Sequence, residues 1–550
     1  MRRAVALLAL VVLFGACAPP ATAATPGSDK GSQITSAEAT AAANRDSKVR
    51  EEKREHPDLA PTAAVNEGHW EVAYFEGGKE LVLVLVDRHS GEVLESWTGY
   101  QVNWKMARGY SGAFGHKLNA PYVFLPLCAI FLLGLVDWRR LRRVANLDLL
   151  VLLGFGVSNY FFNRAEIGVS VPLAYPVLVY LLGRCLWIGL RGRGEGLRPV
   201  WSATWLVVAA LFLMGFRVGL NVADSGAIDV GYAGVVGADR ISHGEPIYDN
   251  FPSDISQGDT YGPVNYLAYV PFERIWPWSG SWDDLPAAHA ASVVFDVAVF
   301  ALLLLLGIRI RPGPAGQRLA AILAFGWAAY PYSAYVLESN TNDSLLAALL
   351  VLALLLTARP LARGAALAAA TWAKFFPAVL APMYLTYDRK LKPALLFVAG
   401  FVAVTIAVML WPAIDPGLKT FYDRTIASQA GRESPFSIWG QAPSLEPIRI
   451  ALLVGTGILA LLFAFIPKRK SLVQLAALSA ALVILLQLTL HHWFYLYIVW
   501  FYPLVLVALA AVEKGGDTPS ERLVLLGHGN LGLPKATHPS KLSEEGVSPP

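Results

Sequence analysis

Hydrophobic and polar positions divide this chain into two unlike parts. From residue 118 to 512 it carries apolar runs near 118–137, 147–163, 170–190, 202–220, 286–308, 318–337, 342–358, 394–412, 447–466, 471–490 and 493–512, separated by polar loops. Most approach the roughly 20 residues that a helix needs to cross a hydrocarbon core, so the pattern predicts about 11 membrane-spanning helices. A further apolar segment, "GAALAAATWAKFFPAVLAPMYLTYD" at 364–388, is interrupted near its middle by Lys374 and Pro377 and flanked on both sides by basic clusters. A straight crossing would strand one cluster on the wrong face. Two half-helices that return as a re-entrant hairpin keep both on one side, and broken backbone at membrane depth is tolerated only against protein or a cavity.

Before residue 118 the period changes. "HWEVAYFEGGKELVLVLVDRHSGEVLESWTG" alternates apolar and polar positions and breaks at "EGGK" and "HSGE", which predicts three antiparallel strands with two tight turns. Ahead of it, "TSAEATAAANRDSKVREEKREHP" predicts one solvated helix behind a flexible linker. Residues 1–24 combine a basic start, a short apolar run and small residues near Ala23, the pattern of a secretory signal or an uncleaved anchor, and with either the module after residue 24 is expected to be exported. After 512 no periodicity persists, and 513–550 is expected to be a disordered cytoplasmic tail. The fold class is thus an all-α polytopic membrane protein over 118–512, about 11 spans plus the hairpin, with a small exported α+β module over 25–117.

Composition agrees: of 550 residues, 55% are hydrophobic and only 16% charged. The basic clusters at 137–143, 191–198, 309–318, 358–363, 388–392 and 468–470 sit in loops between the runs, and placing all of them in the cytoplasm puts every acidic loop outside. The net charge of +4 therefore reports topology. No basic patch interleaved with aromatics points to nucleic acid. Cys17, Cys128 and Cys185 lack metal-ligand spacing, so no metal site, disulfide framework or cofactor is expected.

The largest extracytoplasmic loop, after the fourth run, holds Asp229, Asp239, Glu245, Asp249, Asp254 and Asp259 against a single Arg240 over residues 226–267. Asp229 stands nearest the membrane and is the candidate general base, with Tyr232 one helical turn later on the same face. On the same side, "ESNTND" at 338–343 offers Asn340 and Asn342 either to a polar ligand or as helix caps. "DRTIASQAGRESPFSIWGQ" at 423–441 offers Arg424 and Arg432, whose guanidinium forks suit a phosphate. His491 and His492 lie at a membrane boundary among aromatics, and Lys374 is too deep to reach the surface easily, which marks it as functional by default. A base, phosphate-binding cations and a cavity on one side of a bilayer fit transfer of a group from a lipid phosphate.

At these residues a resemblance enters. "DVGY", then "GEPIY", "TYGPVNYLAYVPFE", "NTNDSLLAALLVLALLLTARPLARGAALAAATWAKFFPAVLAP" and "HH" before an aromatic helix resemble the polyprenyl-phosphate-mannose-dependent α-mannosyltransferase family of the GT-C superfamily, which also includes arabinofuranosyl transferases. The resemblance implies an inverting, metal-independent transfer of mannose or arabinofuranose from a polyprenyl-phosphate donor to a glycan or glycolipid acceptor, at an extracytoplasmic site of a multi-pass protein of the cell membrane. It implies Asp229 as base and sets His491 and His492, Lys374 and Pro377, and Asn340 and Asn342 on family motifs, with Asn340 a departure from the usual Gln; together with Tyr232 and Arg432 from the reading of the loops, the candidates are Asp229 and His492 as catalytic and Tyr232, Asn340, Asn342, Lys374, Arg432 and His491 on the substrates. The exported module resembles a PepSY domain in its helix, "WEV" and "SGEV", which implies a fold and no activity. Two rivals remain: a transporter or flippase for a lipid-linked or anionic substrate, and a sensor whose helices only anchor the module. Transporters usually carry interrupted helices in matched halves, and "KFFP" has no second copy.

The charge alternation makes a direct prediction. Reporter fusions within 221–285 should be active only outside the cell, and activity inside would overturn both the topology and the side assigned to Asp229.

Overall fold

A computed structural model describes residues 33–66, 68–109, 116–428 and 434–512. The expected signal, the tail and Arg432 lie outside the described residues. The N-terminal part holds two helices, α1 (Ser36–Ala43) and α2 (Ser47–Glu55), and four strands, β1 (Ala60–Asn66), β2 (His69–Glu76), β3 (Lys79–Asp87) and β4 (Val93–Thr98), paired antiparallel in the order β1-β2-β3-β4.

Two expectations are corrected here. The stretch expected to form one solvated helix is two helices, because Asp46 ends the first run and caps the second: its carboxylate accepts from the Lys48 and Val49 amides at 2.9 and 3.4 Å and from the Ser96 hydroxyl at 2.7 Å. Their small apolar residues are buried, Ala39, Ala43 and Val49 packing with Val72, Tyr74, Val82 and Val84 of the sheet. The sheet also has a fourth strand. Residues 60–66 show no clear alternation because β1 is an edge strand, largely exposed, and pairs only with β2.

The rest is helical. In order come α3 (Pro121–Leu135), α4 (Val144–Leu153), α5 (Phe155–Asn163), α6 (Ile167–Arg191), α7 (Ala203–Asp224), α8 (Asp229–His243), α9 (Pro263–Glu273), α10 (Pro286–Ile310), α11 (Gly313–Ala329), α12 (Pro331–Glu338), α13 (Asp343–Leu355), α14 (Pro360–Lys374), α15 (Leu391–Pro412), α16 (Glu446–Phe465), α17 (Leu472–Leu488) and α18 (Ile498–Ala511). Six stretches, Val144–Asn163, Ile167–Arg191, Ala203–Asp224, Pro286–Ile310, Leu391–Ala427 and Pro443–Phe465, are long and apolar enough to cross a membrane. A seventh counts if α11 and α12, bent by 54° between Ala329 and Pro331, form one span. The other expected runs are helical but short, only 10–17 residues each: α3, α13, α17 and Tyr495–Ala511. Helices α17 and α18 are buried almost throughout, so their length is set by the core they fill and not by the bilayer.

Between α14 and α15 the chain reverses. Helix α14 ends at Lys374, Phe375 takes φ 34°, and a helical turn (Phe376–Leu380) and a short helix (Ala381–Leu385) lead back. Arg363 near the start of this segment pairs with Asp388 beyond its end at 2.8 Å, so its two ends are tied together. The same end of the bundle gathers the other basic loops. Arg143 donates to the Gly196 carbonyl at 2.8 Å, Arg311 to Ala511 at 2.8 Å, Arg318 to Pro199 at 2.6 Å and Arg389 to Phe465 at 2.6 Å.

Two charge pairs cross the interior of the bundle. Arg217 of α7 meets Asp296 of α10 at 2.7 Å with both side chains buried, while Trp327 of α11 donates to the same carboxylate oxygen at 3.0 Å. Asp148 of α4 holds Arg184 of α6 through bonds of 2.7 and 2.8 Å. Breaking a buried pair strands its partner's charge and costs about 3–5 kcal/mol, while replacing both by apolar residues often costs little. Arg217→Met should therefore lower the thermal midpoint of the purified protein strongly, and Arg217→Met with Asp296→Leu should recover most of the loss.

Candidate functional site

Opposite the basic end, a cavity of ≈ 400 Å³ is lined by Trp104, Asp229, Ala233, Ile255, Gln257, Gly258, Thr260, Tyr261 and Ser428. Asp229 is the only carboxylate among these described residues. It occupies the first turn of α8, where the helix dipole favours a negative charge, and its carboxylate accepts from the Val230 amide at 2.9 Å.

Backbone contacts fix that turn. The Gly226 and Ile228 amides donate to the carbonyls of Glu338 and Ser339 at 3.4 and 3.3 Å, so the lead-in to α8 runs along the α12–α13 junction. A Cβ at Gly231 would stand 2.2 Å from the Asn340 carbonyl oxygen, so only glycine permits this approach. Gly234 and Gly237, three and six residues on, let the rings of Tyr269 and Tyr266 of α9 seat against α8. Asn340 closes the junction: it donates to the Ser225 hydroxyl at 3.0 Å and accepts from Asn221 at 2.9 Å. Asn340 is thus a buried brace, and so is Asn342, which donates to Asn265 at 2.6 Å. Both were expected on substrate, and neither lines the cavity. Asn342 occupies the cap position of α13 but makes no side-chain cap bond.

The other acidic residues of the loop are engaged locally. Arg240 pairs with Glu245 at 2.8 Å and lies 3.8 Å from Asp239; Tyr232 donates to Asp254 at 3.1 Å. Tyr232, expected beside Asp229 on substrate, is buried against Trp282, with ring centroids 4.7 Å apart, and burial and the Asp254 charge raise its hydroxyl to about 12. Arg424, a candidate phosphate fork, grips buried Asp259 through bonds of 2.6 and 2.7 Å and donates to the Ser256 carbonyl, so its fork is already filled.

Lys374 lies on the other side of Tyr261. Gly262 makes this possible: a Cβ there would meet the Trp372 carbonyl oxygen at 1.9 Å, so Tyr261 is carried directly onto the end of α14. The Lys374 ammonium sits 5.3 Å from the Tyr261 ring, 5.8 Å from Tyr497 and 4.8 Å from Trp500, an aromatic cage, and pairs with Asp343 at 2.5 Å. Asp343 also accepts from Trp500 at 2.7 Å and from the Thr341 hydroxyl at 2.6 Å. Burial drives the Tyr261 hydroxyl well above its ordinary range, and the Asp229 and Asp343 charges push it the same way. Tyr261 therefore stands between the two carboxylates as a neutral phenol.

The two histidines part company. His492 exchanges a hydrogen bond with Ser434 at 2.9 Å and packs against Trp104, Phe436 and Tyr497, with ring centroids at 5.5, 5.4 and 6.3 Å. His491 instead faces Glu446 at 3.6 Å, itself held by Arg449. Sequence reasoning missed Asp343, Tyr261 and Trp104. Asp343 carries a signal, an acid in the first turn of an apolar helix, but it stands beside two asparagines that offer the same polar chemistry. Among the described residues, three possible metal ligands converge only at Glu52, Glu55 and His56 of the N-terminal part, and none lines the cavity.

The structure is thus a helical, membrane-embedded bundle with an acid-bearing polar cavity at one end and a caged lysine beside it. Residues 260–513 match the family model for glycosyltransferase family 87. This indicates a membrane glycosyltransferase acting on a donor and an acceptor. The matched span includes Tyr261, Asp343, Lys374 and His492 and leaves out Asp229 and Trp104. No curated protein matches the chain.

Because Gly231 sets the seat of Asp229, Gly231→Ala should force the first turn of α8 off the Asn340 carbonyl. Overpacking of this kind costs about 1–3 kcal/mol, so the melting midpoint should fall by several degrees. Gly219→Ala inside α7, where a Cβ meets open space, should leave the midpoint unchanged or raise it slightly.

Proposed function

We propose that the protein moves a sugar, mannose or arabinofuranose, from a polyprenyl-phosphate donor to a glycan or glycolipid acceptor at the extracytoplasmic face of the cell membrane, with inversion and with Asp229 as general base. The observation that carries the reading is the position of Asp229 as the sole carboxylate among the described cavity residues, beside Tyr261 and next to a region that matches a glycosyltransferase family.

The steps are those of a direct displacement. An acceptor hydroxyl is a weak nucleophile; as its oxygen forms the new bond to the anomeric carbon, its proton passes to Asp229 and the bond to the phosphate oxygen breaks with its electron pair. The sugar centre gains oxocarbenium character as polyprenyl phosphate departs. Lys374, 5.3 Å from the Tyr261 ring, and His492, 5.5 Å from the Trp104 ring, steady the negative charge growing on the leaving phosphate. Asp343 holds Lys374 in place through the crossing, and the remaining acidic residues of the loop build its frame.

A positioned carboxylate base contributes roughly 10²- to 10⁴-fold. Asp229→Asn should therefore lose turnover by that factor while still binding donor, and Asp254→Asn, which keeps an acceptor for Tyr232, should change it little. The assay supplies polyprenyl-phosphate mannose and polyprenyl-phosphate arabinose to the full chain in lipid. Near wild-type transfer by Asp229→Asn would remove the base assignment, and absence of transfer by the wild type from both donors would remove the reading itself.

A further inference from the structure

Trp104 lies outside the matched span, on the tether that leaves the N-terminal sheet, yet it lines the same cavity as Asp229. The tether is closely held. Trp97 at the end of β4 takes the Arg108 guanidinium over its ring at 5.6 Å, and Arg108 donates back to the Gln101 and Val102 carbonyls at 2.9 and 3.1 Å. Gln101 donates to the Ala107 carbonyl and across to Ala165, both at 3.3 Å, which pins the tether to the loop between α5 and α6. Gly109, at φ +77°, passes so close to that loop that a Cβ would meet the Asn163 carbonyl oxygen at 2.8 Å. Between the helical turns Tyr100–Asn103 and Lys105–Ala107 the Trp104 indole projects onto Phe436 and His492, at 5.4 and 5.5 Å, and remains half-buried.

The chemistry of the wall identifies the kind of ligand. Its polar groups are one carboxylate, one amide and the hydroxyls of Thr260, Tyr261 and Ser428, and no Lys, Arg or His stands among the described lining residues. Such a wall of hydroxyl, amide and carboxylate groups suits a neutral polyol, while the cationic groups of the transfer reading, Lys374 and His492, stand behind its Tyr261 and Trp104 rings. An indole beside hydroxyl and carboxylate groups provides a flat apolar face with polar groups around it, which complements a sugar ring carrying both C–H faces and hydroxyls.

We propose that this cavity seats the acceptor saccharide and that Trp104 is the platform on which its ring stacks, so that the N-terminal part shares in choosing the acceptor. The proposal rests on the transfer reading for the word acceptor, and on the cavity alone for saccharide binding. The test measures both. Saturation-transfer NMR on the full chain in nanodiscs, with methyl α-mannoside, methyl α-arabinofuranoside and their disaccharides as probes, should show contact in the wild type. Trp104→Phe should retain most of it, Asp229→Asn should keep it, and Trp104→Ala should weaken binding about tenfold. In the transfer assay, Trp104→Ala should raise the KM for the saccharide acceptor about tenfold and leave the KM for the donor unchanged. Saccharide contact without transfer from any donor would sink the transfer reading and leave the saccharide seat standing. No contact by the wild type beyond empty nanodiscs, or contact and acceptor KM unaffected by Trp104→Ala, overturns the proposal. An equal rise in both KM values, or a loss of kcat that Trp104→Phe does not rescue, marks a packing role and overturns it as well.

Discussion

Lys374 and Asp343 meet at 2.5 Å where α14 ends and α13 begins, and the architecture around the cavity depends on that pair. Neither charge could be held apart from water alone, because an isolated buried ion loses its hydration without compensation. Paired, they fix the end of the α14 segment against the start of α13, and Trp500 brings α18 to the same carboxylate. The reversal at Phe375 comes immediately after, so the charge pair sits at the point where the segment turns back. Arg217 with Asp296 and Arg184 with Asp148 answer the same constraint elsewhere, but they brace helices away from the cavity lining. The distinction matters for function: of the three pairs, only the one at Lys374 has a cavity residue, Tyr261, over its charge.

Close backbone approach is the second condition. Two glycines place the two sides of Tyr261: Gly231 lets the turn bearing Asp229 rest on the Asn340 carbonyl, and Gly262 lets Tyr261 rest on the end of α14. A methyl group at either point would move a functional side chain by more than the tolerance of a hydrogen bond. The asparagines and the loop carboxylates serve that placement. Asn340 ties Asn221 to Ser225, and Asp259 anchors Arg424, so the polar groups that look available along the chain are mostly spent on each other.

How much of this was legible along the chain depends on the range of the interaction. Apolar runs, the basic loops that gather at one end, the end of α14 at Lys374 and the special address of Asp229 are local patterns, and each is visible within about twenty residues. The edge strand β1 escaped because its pattern is imposed by one partner, and the split of the first helix by Asp46 escaped because the cap competes with a run of good helix formers. The partners of the charges escaped for a different reason. Lys374 and Asp343 are 31 residues apart and Arg424 and Asp259 are 165 apart, and nothing in either neighbourhood specifies the other. Arg424, which looks ready for a phosphate in sequence, therefore proves to have a carboxylate in hand, as does Lys374, and adjacent His491 and His492 face different partners because the chain between α17 and α18 is irregular there.

These pairings bear on how one site would handle the two substrates proposed above, which are of opposite character. A lipid phosphate needs positive charge or strong donors, whereas a sugar needs hydroxyl partners and a flat apolar face. The two sets of groups are segregated across a layer of aromatic rings: Tyr261, Tyr497 and Trp500 surround the lysine, while the described wall around Asp229 carries no cation. A lysine brought onto Asp229 would stabilise its ionised form and weaken it as a base. Asp343 prevents that for Lys374 by holding the ammonium where it is. The Lys374–Asp343 pair thus does for chemistry what it does for the fold: it keeps a positive charge inside the bundle without letting it reach the acid proposed as base.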